Sequence, residues 1–139
     1  MNFTILPKSL APFLLSLLRV ATGLAFLEHG SGKLLNFPAG LPYIDQMPKG
    51  LLYFTGSVEL IGGMLIVLGL FTRPVAFVLS GFMAVAYFMG HFPRSFFPAI
   101  SGGEPALLYC FIFLYLATAG GGAWALDRDG YGAVAPELT

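Results

Sequence analysis

Two charged side chains lie inside stretches of sequence that are otherwise strongly apolar. Glu59 stands in GSVELIGGMLIVLGLFTRP, residues 56–74, and Arg19 stands in the apolar run of residues 10–28. A charged group inside an apolar helix is costly, so such residues are candidates for a functional role. Two interpretations are open. Glu59 and Arg19 could form a structural ion pair, or Glu59 could belong to a site that handles protons, electrons or a polar ligand.

Three further titratable residues are expected near one end of the apolar stretches. His29 and His91 each follow an apolar stretch, and Glu104 begins another. Together with Glu59 they offer two imidazoles and two carboxylates, which suits proton exchange because histidine changes charge near neutral pH. We therefore predict Glu59, His29, His91 and Glu104 as catalytic residues. A histidine at a helix C-terminus is also stabilised by the helix dipole, so a purely interfacial role for His29 and His91 stays open.

Glu104 also fits a structural role, and the four titratable residues could in principle hold a metal ion. The sequence SGGE, residues 101–104, fits a capping box with Ser101 as the N-cap and Glu104 at the third helical position. Capping does not exclude a second role for Glu104. No HxxE, ExxH or HxH spacing links the histidines to the carboxylates, so we predict no metal site.

Tyr87, Tyr109 and Lys33 are the predicted cofactor-binding residues. The two tyrosines lie about one helical turn from the titratable group. Lys33 falls in the predicted first loop, and it would share a helical face with Arg19 and His29 if the first helix continued that far. The 14 phenylalanines are mostly packing residues, although an aromatic lining would also suit a quinone ring. The sequence has no Walker A, dinucleotide, CxxC or CxxCH motif, so nucleotide, dithiol and covalent haem chemistry lack support.

The elements that position these residues are membrane helices. Charged residues make up only 10% and apolar residues 57% of the 139 residues, whereas soluble domains carry about 25% charged residues. The mean hydropathy is +0.81, so the chain has too little polar surface to cover a globule in water. The formal net charge is zero, so the sequence lacks the excess of basic residues that is typical of nucleic-acid-binding proteins. The single cysteine, Cys110, excludes an intramolecular disulfide.

Four apolar stretches are long enough to cross a bilayer. A helix needs roughly 20 apolar residues to span the hydrocarbon core. The stretches that approach this length are residues 10–28, 51–71, 74–90 and 104–120. We therefore predict one domain over residues 1–139, an all-α membrane protein with four transmembrane helices in an up-and-down bundle.

The lengths of the connections between these helices predict which end of the bundle carries the long loops. The second and third helices are joined by the tight turn FTRP, with Pro74 in the first turn of the third helix. The two long connections, residues 30–50 and 91–103, then lie on one face of the membrane, which we call the mouth. Lysines and arginines are balanced between the two faces, and the amino terminus weakly favours cytoplasmic termini.

Arg19 and Glu59 are expected to meet inside the bundle. Counted from the face that carries the termini, their depths differ by only about 4–5 Å. Gly56, Gly62 and Gly63 surround Glu59 on its helix, and small residues let a neighbouring helix approach closely. We therefore predict an ion pair between the first and second helices.

Four stretches of the chain resemble the DoxX family of small bacterial membrane proteins. They are RVATGLAFLEHGSGKL (residues 19–34), ELIGGMLIVLGLFTRP (residues 59–74), GGEPALLY (residues 102–109) and GGGAWALD (residues 120–127). In the last stretch Ala125 stands where the family pattern has serine, so no hydroxyl role is carried over to that position. The resemblance implies a four-helix, multi-pass protein of the bacterial inner membrane, and it supplies no settled catalytic residues.

The resemblance also implies a redox setting. Some members look like subunits of a thiosulfate:quinone oxidoreductase, and others accompany quinone, catechol or oxidative-stress enzymes. We therefore predict a quinone-linked redox component or oxidoreductase subunit whose electrons come from a partner subunit. The sequence identifies no cofactor, although a quinone and an oligomeric assembly in the lipid bilayer are compatible with it. Two other functions stay open: a non-catalytic membrane anchor for a soluble redox partner, and a small transporter or proton pathway.

Overall fold

The computed structural model describes residues 5–127, and within that range all regular structure is helical. The α-helices, in chain order, are α1 (Ala11–Leu35), α2 (Lys49–Leu68), α3 (Thr72–Ala86), α4 (Pro98–Ser101) and α5 (Glu104–Ala119). Short 3₁₀ turns precede α1 and α2, at Lys8–Leu10 and Ile44–Gln46, and a π-helical turn extends α3 over Tyr87–His91.

Among residues 5–127, three helical stretches are long and apolar enough to cross a membrane. With their adjoining turns they are Lys8–Leu35, Lys49–Leu68 and Thr72–His91. α5 is apolar but has only 16 residues, a length of about 24 Å against a hydrocarbon core of about 30 Å. Large apolar side chains such as Phe54 and Phe77 point outward and are exposed, as expected for helices that contact lipid.

α1 continues to Leu35, beyond its predicted end near residue 28. Gly30, Ser31 and Gly32 look like the start of a loop, yet they are helical and buried. An added Cβ at Gly30 would lie 2.3 Å from the backbone nitrogen of Leu60. This glycine is therefore required by close helix packing and not by a turn. The C-cap of the helix is Asn36, which lies in the left-handed region with a φ of 52°.

α1 and α2 pack antiparallel with their backbones almost in contact. An added Cβ on Gly23 would lie 2.9 Å from the Val67 nitrogen, and one on Gly63 would lie 2.9 Å from the Leu27 Cα. Small residues permit such an approach between membrane helices. Together with the contact at Gly30, these positions set the register of the pair: residues 23–34 of α1 lie along residues 56–67 of α2.

α3 packs mainly against α5, and this second pair meets the first at an aromatic core. Phe26 of α1 is 1% exposed and lies edge-on to Phe113 of α5 and to Phe82 of α3, with centroids 5.0 and 6.5 Å away. Such aromatic pairs contribute about 0.5–1.5 kcal/mol beyond the area they bury. Away from this core, α1 and α5 touch at few positions.

The turn between α2 and α3 is closed by residues 120–127, which fold back over it. Gly69 ends α2 in a left-handed conformation with a φ of 69°. The Leu126 N–H donates to the Leu68 carbonyl at 3.2 Å, and the Asp127 N–H donates to the Gly69 carbonyl at 2.8 Å. These hydrogen bonds hold residues 120–127, which we call the C-terminal segment, against the end of α2.

At the opposite end, the two loops of the mouth meet each other. Because α1 is longer than predicted, the first loop is confined to residues 36–48, and the second loop begins after the π-helical turn. The Arg94 guanidinium lies over the Tyr43 ring, with Cζ 4.7 Å from the ring centroid. A cation–π contact at an exposed site contributes about 0.5–1 kcal/mol, so it links the two loops across the mouth.

Candidate functional site

The predicted ion pair between Arg19 and Glu59 is wrong. Glu59 Oε1 lies 2.7 Å from Lys33 Nζ, whereas Arg19 donates to backbone carbonyls, including that of Ile66. Ile66 lies about 10 Å along α2 from Glu59. The prediction failed because α1 was expected to end near residue 28. That boundary assigned Lys33 to a loop and misplaced Arg19 relative to α2.

The Lys33–Glu59 pair lies between the last turn of α1 and the middle of α2. Lys33 Nζ also donates to Thr55 Oγ1 at 3.2 Å. The two charged side chains are only 13% and 9% exposed. Glu59 Oε2 is buried and receives no hydrogen bond from any of residues 5–127. Because an unsatisfied buried acceptor costs free energy, Oε2 favours a ligand that can donate a hydrogen bond to it.

His29 and Tyr109 extend this polar group from α1 toward α5. The His29 ring meets the Tyr109 ring edge-on, with centroids 6.2 Å apart. Both groups lie within electrostatic range of Glu59. Within residues 5–127, no side chain or backbone group hydrogen bonds to the half-buried Tyr109 hydroxyl. We call the set formed by Lys33, Thr55, Glu59, His29 and Tyr109 the glutamate centre.

Tyr87 and His91 lie apart from the glutamate centre and hold the second mouth loop. The Tyr87 hydroxyl donates to the Phe96 carbonyl at 2.7 Å. His91 Nδ1 lies 3.3 Å from the Ser101 carbonyl oxygen, and its ring is 6.3 Å from that of Tyr87. The contacts of these two side chains within residues 5–127 therefore do not join them to Glu59.

Glu104 is exposed at the first position of α5, and its predicted capping box is not formed. Ser101 is the last residue of α4, and Gly103 is the N-cap of α5. The tight approach of Gly103 to Tyr87, where an added Cβ would lie 2.7 Å from the ring, explains why glycine takes this position. Among residues 5–127, no three His, Cys, Asp or Glu side chains lie close enough to hold a metal ion.

Arg19 forms a second polar centre at the end that carries the α2–α3 turn. Its side chain is 1% exposed. Nε donates to the Gly121 carbonyl at 2.7 Å, Nη1 donates to the Ile66 carbonyl at 2.6 Å, and the Val67 carbonyl accepts a further hydrogen bond. A planar guanidinium with several donors fits such an array of acceptors, whereas a lysine ammonium does not. We call Arg19 and these three carbonyls the arginine centre.

Asp127 supplies the nearby negative charge, and the sequence-based site prediction did not include it. Its Oδ1 accepts the Phe71 N–H at 2.8 Å, and its Oδ2 accepts the Thr72 N–H at 2.6 Å. The carboxylate therefore caps the N-terminus of α3, where the helix dipole favours an anion. Partial burial favours the protonated form, but these N–H groups and the charge of Arg19 outweigh it and lower the pKa of Asp127. The available signal was the stretch GGGAWALD, in which Asp127 is the only charged residue.

The rest of the C-terminal segment is fitted closely to α1 and to the turn. Ser16 Oγ accepts the Trp124 N–H at 2.9 Å and donates to the Gly121 carbonyl at 3.4 Å. Ala125 packs beside Gly69, where an added Cβ would lie 2.6 Å from the Ala125 Cβ. The side chain at position 125 therefore serves to pack against Gly69.

The two centres differ in what they can do chemically. The arginine centre is enclosed, and its guanidinium is surrounded by carbonyls that belong to the chain itself. The glutamate centre combines an ammonium, an imidazole, a phenol and a carboxylate oxygen that has no partner within the described part of the chain. Groups of this kind can donate and accept hydrogen bonds and exchange protons with a bound molecule. The glutamate centre is therefore the candidate site.

Comparison with known proteins places the chain in a family. A sequence profile of the DoxX family matches residues 14–92. The chain is 42% identical over 121 residues to an uncharacterized protein of Haemophilus influenzae, covering 84% of this chain and 90% of that protein. It is 28% identical over 123 residues to the inner membrane protein YqjF of Escherichia coli, covering 79% and 86%.

A further match covers about half of each chain. Over 66 residues the chain is 35% identical to the Bacillus subtilis protein named "Putative oxidoreductase CatD", covering 46% of this chain and 49% of that protein. No solved structure matches the chain significantly. The family profile spans more than half of the chain, and the three long apolar helices agree with the inner-membrane relative. The chain is therefore a multi-pass protein of the bacterial inner membrane, and it belongs to the DoxX family.

Proposed function

We propose that this protein is a quinone-linked redox component of the membrane, and that its glutamate centre binds the quinone ring. The observation that carries the proposal is the buried Oε2 of Glu59, which has no partner among residues 5–127 and lies in the group formed with Lys33, His29 and Tyr109. The oxidoreductase name of the Bacillus relative supports a redox role.

The side chains of the glutamate centre match the proton chemistry of a quinone. Reduction to the quinol adds two electrons and two protons, one proton to each carbonyl oxygen. The Tyr109 hydroxyl and a His29 ring N–H can donate hydrogen bonds to a carbonyl oxygen, and Glu59 Oε2 can accept one from a quinol hydroxyl. Lys33 holds Oε1, so the carboxylate stays oriented while Oε2 faces the ligand. His29 passes protons between this site and the mouth.

The electrons come from a partner subunit that carries its own redox cofactor. The printed sequence has no motif for covalent haem, a dinucleotide or a dithiol. Cys110 is a lone thiol that lies 3.6 Å from the Ser80 hydroxyl. In this proposal the partner docks at the mouth and delivers two electrons for each quinone reduced.

The proposal includes four crossing helices, with α5 as the fourth span. α5 packs against α3 and meets α1 at the rings of Phe26 and His29, and beyond its end residues 120–127 hydrogen bond to α1. Its length of about 24 Å fits a bilayer that is thinned slightly around a short helix. The mouth loops then share one face, and we place the termini on the cytoplasmic side.

Quinone binding by the purified protein in lipid nanodiscs tests the proposal. We expect the wild-type protein to bind a benzoquinone, and Glu59→Gln to weaken binding by about tenfold or more, because the amide loses the ion pair with Lys33 and one carboxylate acceptor. Asp45→Asn is the matched control, since Asp45 is exposed in the first mouth loop, and it should bind as the wild type does. Absence of binding by the wild type, or equal binding by Glu59→Gln, would exclude the proposed site.

A non-catalytic membrane anchor is the second candidate, and the second mouth loop favours it. Phe92, Phe96 and Phe97 are exposed there, and exposed apolar patches commonly bind partners. Co-purification from membranes followed by a quinone reductase assay separates the two candidates. Activity of the captured complex that survives His29→Ala and His91→Ala favours the anchor, whereas activity lost in His29→Ala alone favours the glutamate centre.

A further inference from the structure

A groove opens between α1 and α5 on the lipid side of the bundle. Its volume is about 350 Å³, which lies in the range of small-molecule sites. Its walls include Ala21, Thr22 and Ala25 from α1 and Leu108, Tyr109 and Ile112 from α5. Ala21 and Leu108 are exposed, so the groove is open to the hydrocarbon of the bilayer.

The groove exists because small side chains of α1 face α5. Ala21 and Ala25 leave the space between the helices unfilled, and α1 and α5 touch at few positions. The interface between α1 and α2 is different, because there the glycines bring the two backbones into contact. The gap beside α1 is therefore confined to its α5 side.

Tyr109 belongs both to the groove and to the glutamate centre. Its ring contacts His29 at 6.2 Å, Phe26 at 5.4 Å and Phe113 at 5.9 Å between centroids. The groove itself carries the Tyr109 ring, whose hydroxyl has no partner among the described residues, while Phe26 and Phe113 are buried behind that ring. Ala21 lies about 6 Å deeper along α1 than Ala25, so the apolar wall of the groove runs from the level of Tyr109 toward the bilayer centre.

This arrangement matches an amphiphile with a hydrogen-bonding ring and an apolar tail. Because the inference rests on the proposed function, it concerns the kind of quinone and its route. We infer that the ligand of the glutamate centre is a lipid-soluble quinone with an isoprenoid tail, which enters sideways from the bilayer through the α1–α5 groove. The ring lies at Tyr109 and His29, and the tail lies along Ala25, Ala21 and Ile112.

A second lateral groove lacks the features that would hold a ring. It has a volume of about 500 Å³ and lies between α2 and α3. Among the described residues, Ser57 is the one polar side chain in its lining, and its hydroxyl already donates to the Tyr53 carbonyl at 2.7 Å. No titratable residue of the described range lines this groove, so it provides a matched control for the effect of filling a lipid-facing groove.

The test compares two ligands on variants that fill each groove. The ligands are a benzoquinone that carries an isoprenoid tail and the same benzoquinone without the tail. Ala21→Phe fills the deep part of the α1–α5 groove, and Val78→Phe fills the α2–α3 groove, where Val78 is 64% exposed. Dissociation constants are measured in nanodiscs, each relative to the wild type.

We expect Ala21→Phe to weaken binding of the tailed quinone by about tenfold and to leave binding of the tailless ring unchanged. Val78→Phe should change the dissociation constant of neither ligand. Ile112→Phe, which fills the same groove from α5, should repeat the selective loss. Thermal unfolding of each variant reports whether the fold is kept.

Two other results would overturn the inference, and they differ from failure of the proposed function. If Ala21→Phe and Ile112→Phe both bind the tailed quinone as the wild type does, the groove does not hold the tail. If both variants weaken binding of the tailed and the tailless quinone equally, the substitutions do not act on binding of the tail. In either case the glutamate centre keeps its proposed role. If the wild type binds neither ligand, the proposed function fails, and this inference fails with it.

Discussion

A buried arginine in a membrane helix must find hydrogen-bond acceptors within the protein, because the hydrocarbon offers none. Arg19 finds them in the carbonyls of Ile66, Val67 and Gly121. The first two belong to the last turn of α2, where the helix dipole is negative, and the Ile66 carbonyl also accepts the Gly69 N–H at 3.1 Å. Arg19 therefore caps α2 from a neighbouring helix.

This geometry predicts that the shape of the Arg19 side chain matters as well as its charge. We expect Arg19→Lys to lower the free energy of unfolding by roughly 1–3 kcal/mol, because an ammonium cannot reach all three carbonyls and leaves these buried acceptors with fewer donors. Unfolding in detergent, followed by circular dichroism, measures the loss. The control is Arg94→Lys, which is exposed and keeps a cation near Tyr43. It should cost less than about 0.5 kcal/mol. Equal effects of the two variants would contradict the capping role.

At the scale of elements, both polar centres depend on the register between α1 and α2. The glycine contacts at Gly23, Gly30 and Gly63 place Lys33 beside Glu59 and place Arg19 beside the end of α2. A shift of one helical turn, about 5.4 Å, would break both sets of contacts. The small residues of this interface are therefore as important to the candidate site as its charged residues.

Alanine substitution of two glycines tests the close packing of α1 on α2. An added Cβ at Gly30 meets the Leu60 backbone at 2.3 Å, whereas one at Gly81 of α3 meets nothing within 4 Å. We expect Gly30→Ala to destabilise the protein by about 1–3 kcal/mol. Gly81→Ala should be neutral or stabilise it by up to about 1 kcal/mol, because alanine is the better helix former. Thermal unfolding in detergent compares them. The same change in unfolding temperature for both variants would show that α1 and α2 are not held backbone to backbone.

At the scale of the whole molecule, the two ends of the bundle are built differently. At the end with the α2–α3 turn, residues 120–127 connect α1, α2 and α3 through Ser16, Arg19 and Asp127. At the mouth, the loops are linked by the Arg94–Tyr43 contact, and the glutamate centre keeps an acceptor without a partner in residues 5–127. We therefore assign a structural role to the first end and propose ligand binding near the second.

The Asp127 cap predicts a pH-dependent stability. Because the folded state lowers the pKa of Asp127, its contribution is fully present above the ordinary range of an aspartate, roughly pH 4. That contribution is lost as the pH falls through the lower folded-state value. We expect Asp127→Asn to unfold at a lower temperature than the wild type at neutral pH, and the difference to shrink in acid.

Thermal unfolding across a pH series, with the protein in detergent, measures this difference. Glu28→Gln provides the control, since it removes an exposed carboxylate from α1 and should follow the wild type at every pH. A difference between the wild type and Asp127→Asn that stays constant from neutral to acidic pH would contradict an ionised cap.

Several site residues could be predicted from the sequence, and others could not. Glu59, His29, Lys33 and Tyr109 were predicted because ionisable and polar groups in or next to apolar helices stand out, and the structure places these four in the candidate site. Their partners were harder to predict. Lys33 was assigned to a loop, because Gly30, Ser31 and Gly32 have the composition of a helix end although they are helical.

The residues of the mouth show a second limit of sequence-based prediction. His91 follows the third predicted helix as His29 follows the first, and Tyr87 lies in the last turn of that helix. Their hydrogen bonds nevertheless run to Ser101 and Phe96 in α4 and the second loop. The path of an irregular loop depends on many weak contacts that have no periodicity in the sequence. The glycine at position 103 and the exposed Glu104 follow from the same loop geometry.

The sequence by itself determined that the chain lies in lipid, that its fold class is all-helical and which family it resembles. A chain with 10% charged residues belongs in lipid, and in lipid its backbone must satisfy its own hydrogen bonds by forming helices. Only the tertiary structure decided which charges meet. The depth of a residue relative to a neighbouring helix depends on the register between the two helices, and here backbone contacts at glycines on both partners set that register. For that reason Glu59 pairs with Lys33, and Arg19 binds the end of α2.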